Sequence, residues 1–295
     1  ESLPVLFQRL DQTLISGIEW ELVFINDGSS DETLSWLIQR STRDPRVKVI
    51  DLSRNFGKEA ALTAGLDHAT GDAVIPFDAD LQDPPELIEQ MIDRWQAGFD
   101  VVLAIRSSRK DDHPVKRVTA HAFYRVFGKL SDVEMTPNAG DFRLMDRQVV
   151  EALKQLPERN RFMKGLFSWL GFKQTEVYFE RTKRAVGDSK WGSWKLWNFA
   201  LDGLFSFSIA PLRIWTYLGA TLSAISCCYL LYVVFDTLIN GNPVPGYPSL
   251  VAISLFFNGV ILLGLGIVGE YVGRVFIESK QRPVYLVRQV VGFDR

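Results

Sequence analysis

Apolar and polar positions follow two regimes along this 295-residue chain. In the first hundred residues, short apolar runs alternate with amphipathic stretches. Leu3 to Leu14 places apolar residues at helical spacing, and Trp20 to Ile25 reads as a strand. Asp31 to Arg40 reads as a helix, Val47 to Leu52 as a strand and Glu59 to His68 as a helix. Ala73 to Phe77 (strand), Pro85 to Trp95 (helix) and Val101 to Ala104 (strand) continue the series. Strand, polar loop and helix in repetition predict an α/β domain with a mainly parallel sheet and crossover helices. Ligands of such sheets gather beyond the carboxyl ends of the strands. Those ends carry Asp27, Ser53-Arg54 and Asp78 to Asp80.

From about Trp191 the chain turns apolar and aromatic. Ile214 to Phe235 and Tyr247 to Gly269 are both free of charge, and each is long enough to cross a bilayer. Gly219, Ala220, Ser223, Gly259, Gly264 and Gly266 supply small residues for close packing in lipid. The loop between the spans has no Lys or Arg, whereas Lys190, Lys195 and Arg213 precede them and Arg274, Lys280, Arg282 and Arg288 follow. The positive-inside rule then puts the large N-terminal part and the C-terminal tail in the cytoplasm, and no signal peptide is visible. Trp191, Trp194, Trp197, Leu201 and Leu204 recur at helical spacing just before the first span, as in a helix lying at the membrane interface, core packing being the alternative. Val115, Val118, Ala122, Val126 and Leu130 form a second stripe beside Arg106, Arg109, Lys110, Lys116 and Arg117. That pattern suits either a solvated basic face or a helix near anionic headgroups.

A net charge of −2 exerts no general pull toward nucleic acid. The two cysteines, Cys227 and Cys228, are adjacent within a span and imply no disulfide framework. The three histidines are scattered, and neither a P-loop nor a Gly-x-Gly-x-x-Gly loop occurs. The chemistry concentrates in Asp78-Ala79-Asp80-Leu81-Gln82-Asp83-Pro84-Pro85. Hard oxygen donors at a strand end suit Mg²⁺ or Mn²⁺, and the same residues also suit an acidic turn that opens a helix.

In order along the chain stand Asn26-Asp27-Gly28-Ser29-Ser30-Asp31, Ser53-Arg54-Asn55-Phe56-Gly57-Lys58, the acidic segment above, Gly140-Asp141-Phe142-Arg143-Leu144-Met145-Asp146-Arg147, Arg159-Asn160-Arg161-Phe162-Met163-Lys164-Gly165 and Gly187-Asp188-Ser189-Lys190-Trp191. With the two C-terminal spans, this chain resembles family 2 glycosyltransferases of the polyprenyl-phosphate type. It is most similar to the bactoprenol glucosyltransferases and more distantly to dolichol-phosphate mannosyltransferases. The resemblance implies a GT-A domain over 1–186, an interfacial region over 187–212, two transmembrane helices over 213–273 and a cytoplasmic tail over 274–295. The family's opening strand, ending near Pro-x-Tyr-Asn-Glu, is expected to fall before Glu1.

The resemblance also implies roles. Asp78 and Asp80 fall on the DxD motif, where Asp80 with Gln82, supported by Asp78, would hold Mg²⁺ or Mn²⁺ on the donor diphosphate. Asp27, Arg54, Asp78 and Lys190 would line the nucleotide sugar. Arg106, Arg109, Lys116, Arg117 and Arg143 are candidates for the acceptor phosphate, since a lipid phosphate needs charge neutralisation more than a base. Asp141 is expected to act as base or acceptor-orienting group, the alternatives being an ion pair with Arg143 or a helix cap. The expected reaction is inverting transfer of a sugar, glucose from UDP-glucose foremost, to undecaprenyl phosphate at the cytoplasmic face of a bacterial inner membrane. Mannose, N-acetylglucosamine or aminoarabinose-type donors are the alternatives within the class. A non-catalytic membrane protein that binds a partner through a degenerate transferase domain is the alternative outside it. A processive synthase is disfavoured by two spans and by the lack of a Gln-x-x-Arg-Trp motif. The tail strands Val284 to Val287 and Val290-Val291 can pair with another subunit or fold back on their own domain.

Overall fold

A computed structural model describes residues 2–13, 18–107, 128, 136, 139–180, 206–240 and 246–293. The N-terminal part runs α1 (Ser2–Thr13), β1 (Leu22–Asn26), α2 (Thr33–Arg43), β2 (Val47–Leu52), α3 (Lys58–His68), β3 (Ala73–Val74), α4 (Leu87–Gln96) and β4 (Val101–Arg106). It continues with β5 (Ala139–Asp146), α5 (Arg147–Lys154), α6 (Met163–Trp169) and β6 (Gln174–Phe179). Two long helices, α7 (Ala210–Asn240) and α8 (Tyr247–Ser279), precede the last strand, β7 (Val287–Val291).

The helix and strand alternation up to β4 matches the expected pattern, but the sheet is mixed and not mainly parallel. β1 with β2 and β4 with β6 are parallel, whereas β2 with β7, β3 with β5 and β4 with β5 are antiparallel. The strand orders are β1-β2-β7 and β3-β5-β4-β6. The departures come from β5 and β7, strands that return from distant sequence and that no local strand-helix alternation announces. The strand expected over Ala73 to Phe77 is shortened to Ala73–Val74. Pro76 has no N–H to give a ladder, so pairing stops before it.

Alternation along β4 and β5 builds a core on each face. Val102, Ala104, Phe142 and Leu144 pack with Ile88 and Met91 of α4 and with Leu6 and Leu10 of α1. Leu103, Ile105 and Met145 pack on the other face with Val149, Val150 and Leu153 of α5 and Met163 and Leu166 of α6. Truncating a fully buried leucine such as Leu144 to alanine costs about 2–5 kcal/mol. Asp146 closes β5 by capping α5 through the Gln148 amide at 2.9 Å and by accepting the Trp95 indole N–H at 2.7 Å.

The tail folds back on its own domain, one of the two fates expected for it. β7 lies antiparallel on β2, and Arg288 reaches the buried Asp51 carboxylate at 3.4 Å and the Ser53 carbonyl at 2.5 Å. Asp51 also accepts the Asn26 side-chain amide at 2.7 Å, so the tail is tied to the polar ends of β1 and β2.

The two long helices form a hairpin in which a Cβ at Gly264 would overlap the Trp215 indole. Their outer surfaces are apolar and exposed, with Tyr217, Phe235, Leu238, Phe256 and Leu262 each more than 60% accessible. Among the described residues, Phe256–Ser279 is long and apolar enough to cross a membrane. The segment just ahead of α7 links the hairpin to the first domain. The Phe207 ring packs on Gly165 of α6, while α8 holds the same segment, Tyr271 donating to the Ser208 carbonyl at 2.6 Å and Arg274 to Ser206 Oγ at 3.2 Å. The Glu278 carboxylate accepts the backbone N–H groups of Arg159 and Asn160. Most of the expected interfacial stretches, over 108–127 and 187–205, lie outside the described residues.

Candidate active site

Three loops at the ends of β1, β2 and β3 meet through side chains that sequence patterning put on one rim. Asp27, just after β1, accepts the Phe56 amide at 2.6 Å with one oxygen and the Gly57 amide at 2.9 Å with the other. Asn55 returns the contact by donating its side-chain amide to the Asp27 carbonyl at 2.9 Å. Gly28 makes this approach possible: its φ is +72°, and a Cβ there would sit 2.8 Å from the Asn55 nitrogen. Arg54 lies against the Phe56 ring, 4.3 Å from its centroid.

The clamp fixes where α3 begins, and α3 begins with Lys58. Its ammonium lies 2.7 Å from Asp78 Oδ2 and 2.7 Å from Asp141 Oδ2. Burial acts to lower the lysine pKa, but Asp141 and Asp78 outweigh it and hold the value above the ordinary one. Asp141 shows the reciprocal effect. Burial acts to raise its pKa, yet Lys58, Lys164 and Arg143 hold it below the usual carboxylate range. A carboxylate stabilised in this way is a poor proton acceptor and a good anchor for cations.

Asp80 and Gln82 are set by the residue between them. Leu81 has φ of 60° and is only 5% exposed, so its side chain is plugged into the core while its backbone occupies the left-handed region. Leucine rarely adopts that region, at a cost of roughly 1–2 kcal/mol. The turn is held by Asp80 Oδ1, which accepts the Gln82 amide at 3.1 Å, and Gln82 is itself buried. The two oxygen-bearing side chains thus flank a fixed pivot. Pro84 and Pro85 follow and α4 starts at Leu87, so the same segment also opens a helix, as the alternative reading held.

Asp141 and Arg143 share one face of β5. Arg143 is 5% exposed, lies 4.0 Å from the Phe167 ring centroid and donates to the Gly140 carbonyl at 2.7 Å. Burial pushes its pKa down to about 10, against the opposing pull of Asp141. Its Nε has no hydrogen-bond partner among the described residues. With Leu103, Thr136, Lys164 and Ser168 it lines a cavity of about 10 Å³, room for one water. So placed, Arg143 backs Asp141 from below and does not reach an open rim. Asp141 pairs with Lys58, a partner that none of the readings of Asp141 named. Arg106 ends β4 opposite Phe179. Arg109, Lys116, Arg117 and Lys190 lie outside the described residues.

Lys58, Glu59 and Lys164 were not singled out from the sequence, although two of the quoted motifs contain Lys58 and Lys164. A signal for Lys58 was present: a cation in the first turn of a helix opposes the helix dipole, and such local violations gather at functional sites. Glu59 accepts the Met163 amide at 3.3 Å, and burial, then Asp141, pushes its pKa up to about 7. Among the described residues no three His, Cys, Asp or Glu side chains converge as a metal cage. Mg²⁺ commonly takes one or two carboxylates plus substrate phosphates, and the acidic turn offers that donor set.

The model for "Glycosyl transferase family 2" matches residues 4–154, just over half of the chain. The chain belongs to glycosyl transferase family 2. It is a glycosyltransferase, and this membership identifies its mixed α/β domain as a GT-A fold. A second model, "GtrB C-terminal hairpin", matches residues 210–275, the α7 and α8 pair. Among its family 2 relatives, an uncharacterised glycosyltransferase of Synechocystis is 52% identical over all of this chain and 93% of its own length. The bactoprenol glucosyl transferase of Shigella phage SfV is 52% identical over 98% of this chain and 94% of its own. A prophage bactoprenol glucosyl transferase homolog of Escherichia coli is 50% identical over 98% and 95%. A mannosyltransferase of Pyrobaculum calidifontis, solved with GDP-Man and Mn²⁺, aligns over 89% of this chain and 83% of its own at 15% identity and a TM-score of 0.40.

Proposed function

We propose that this protein transfers glucose from UDP-glucose to polyprenyl phosphate, undecaprenyl phosphate foremost, at the cytoplasmic face of a membrane crossed by α7 and α8. One observation carries this reading. The domain that holds the Asp78, Asp80 and Asp141 carboxylates is joined through Glu278 to an apolar hairpin whose exposed surface suits lipid and not water. The bactoprenol glucosyl transferases, near 50% identical along almost the whole chain, support both donor and acceptor. The uncharged connection between the helices and the basic residues outside them support two spans with both ends cytoplasmic.

Asp80 and Gln82, supported by Asp78, would hold Mg²⁺ or Mn²⁺. Such an ion supplies charge neutralisation to the diphosphate when bound. Asp27 keeps the β1 and β2 loops closed around the nucleotide rim, with Arg54 beside it. A phosphate oxygen of the lipid forms the new bond to the anomeric carbon as the bond from that carbon to UDP breaks. The acceptor is already anionic, so its needs are positioning and neutralisation. Asp141 orients this side of the site through Lys58 and Lys164, with Arg143 behind it. Arg106, with Arg109, Lys116 and Arg117 from the basic stretch, would meet the acceptor phosphate, and Lys190 the donor.

The test is transfer in detergent to undecaprenyl phosphate from UDP-glucose, UDP-N-acetylglucosamine and GDP-mannose in parallel, each with and without Mn²⁺ or Mg²⁺. Metal-dependent transfer from UDP-glucose is expected. Transfer from GDP-mannose alone would overturn the donor, and full transfer without metal would overturn the role of Asp80.

A further inference from the structure

Lys58 places a cation between two carboxylates at a site expected to receive another cation. One ammonium spans Asp78 and Asp141 at 2.7 Å each. Its position is costly by local rules, since the first turn of α3 disfavours positive charge. The position is nevertheless enforced. Asp27 holds the Phe56 and Gly57 amides, and Gly57, at φ +96°, turns the chain into α3 so that residue 58 faces the acidic loop.

The exposures are unequal along this triad. The side chains of Lys58 and Asp78 are 46% and 44% accessible, whereas Asp141 is 19% accessible. The Lys58–Asp78 half of the bridge therefore opens to solvent without disturbing the core, and the Asp141 half is the more sheltered. Lysine suits this arrangement, being a compact point charge on a flexible stem.

Resting on the proposed function above, we infer that Lys58 is an exchangeable counter-ion. Its ammonium holds Asp78 and Asp141 together in the donor-free enzyme and yields Asp78 to the divalent ion that arrives with a nucleoside diphosphate. A lone divalent ion must displace Lys58 unaided. An ion accompanied by a diphosphate brings negative charge that receives the released ammonium. Ion and donor then bind as a pair, and the free site disfavours an ion without a donor.

The experiment is Mn²⁺ titration of the full-length protein in detergent, read by the EPR signal of free Mn²⁺, with and without UDP. Without UDP, Lys58→Met is expected to bind Mn²⁺ about tenfold more tightly than wild type, the scale set by removing one nearby charge from a half-exposed site. Lys58→Arg, which keeps the charge, stays near wild type. With UDP present, wild type and Lys58→Met converge. Equal or weaker Mn²⁺ binding by Lys58→Met without UDP, in a wild type that binds Mn²⁺ with UDP, overturns the inference. Absence of Mn²⁺ binding in both proteins even with UDP overturns the metal assignment itself, and this inference with it. Lys58→Gln carries the same expectation should Lys58→Met fail to fold.

Discussion

The carboxylate of Glu278, at the end of α8, accepts the backbone N–H of Arg159 through both oxygens, at 2.8 and 3.0 Å. One of these oxygens also takes the Asn160 amide at 3.0 Å. The segment held in this way leads into Met163, whose amide binds Glu59, the neighbour of Lys58. The long apolar hairpin is thereby joined to the carboxylate site by a short run of polar contacts. Glu278→Ala leaves two amides without their acceptor and is expected to destabilise the protein by about 1–3 kcal/mol. Faster proteolysis within 156–162 and a lower Tm would show it, while Glu278→Gln, which keeps an acceptor, should lose less.

Asp80→Asn is expected to reduce metal-dependent transfer by 100-fold or more, taking a developing-charge contact as worth about 3 kcal/mol. The amide oxygen of the substituted side chain can still accept the Gln82 N–H that Asp80 accepts, so Tm should change by little. Normal turnover of this variant in saturating lipid phosphate and metal would remove Asp80 from the site.

Glu59 gives the protein a pH dependence of definite sign. Its carboxyl is pushed up to about 7 in the folded state by burial and by Asp141, from 4.5 in the unfolded chain. Between these values the folded state binds more protons, so stability from this group is complete below about 4.5 and declines as pH rises through 7. One pKa unit corresponds to about 1.4 kcal/mol; discounted for partial exposure, the whole effect is about 1–2 kcal/mol. Glu59→Gln should flatten the fall in Tm between pH 5 and 8, and an unchanged slope would assign that fall to other groups.

Gly165 receives the Phe207 ring so closely that any added Cβ collides with it. Gly165→Val is expected to cost about 1–3 kcal/mol through overpacking. Because Phe207 lies just ahead of α7, transfer to a lipid acceptor should fall more than binding of UDP. Parallel loss of both would place the damage within the domain core.

Much of this arrangement is written locally. The strand ends at Asp27, Ser53-Arg54 and Asp78 to Asp80 were legible because each follows an apolar run, and the topology does bring them to one rim. Strand direction was not legible. β5 returns from beyond a long insertion and β7 from beyond the hairpin, so neither leaves a periodic trace near its partner. Arg143 looked like an acceptor ligand because arginine suits phosphate, but its register on β5 turns it under Phe167. Lys58 was hidden by its neighbours in sequence, since its partners lie 20 and 83 positions away and only folding joins them.

The pairing of β7 with β2 also bears on how the protein is made. Residues 287–291 complete a sheet that begins at residue 22, yet the α7 and α8 hairpin lies between them in the chain. The ribosome releases β7 only after both long helices have emerged. The sheet therefore closes only after both long helices are made, and a chain whose hairpin fails to settle has no correctly placed strand to add. Arg288, which reaches Asp51 and Ser53, arrives with that strand. Completion of the GT-A domain is thus made to wait for the hairpin that Glu278 joins to it.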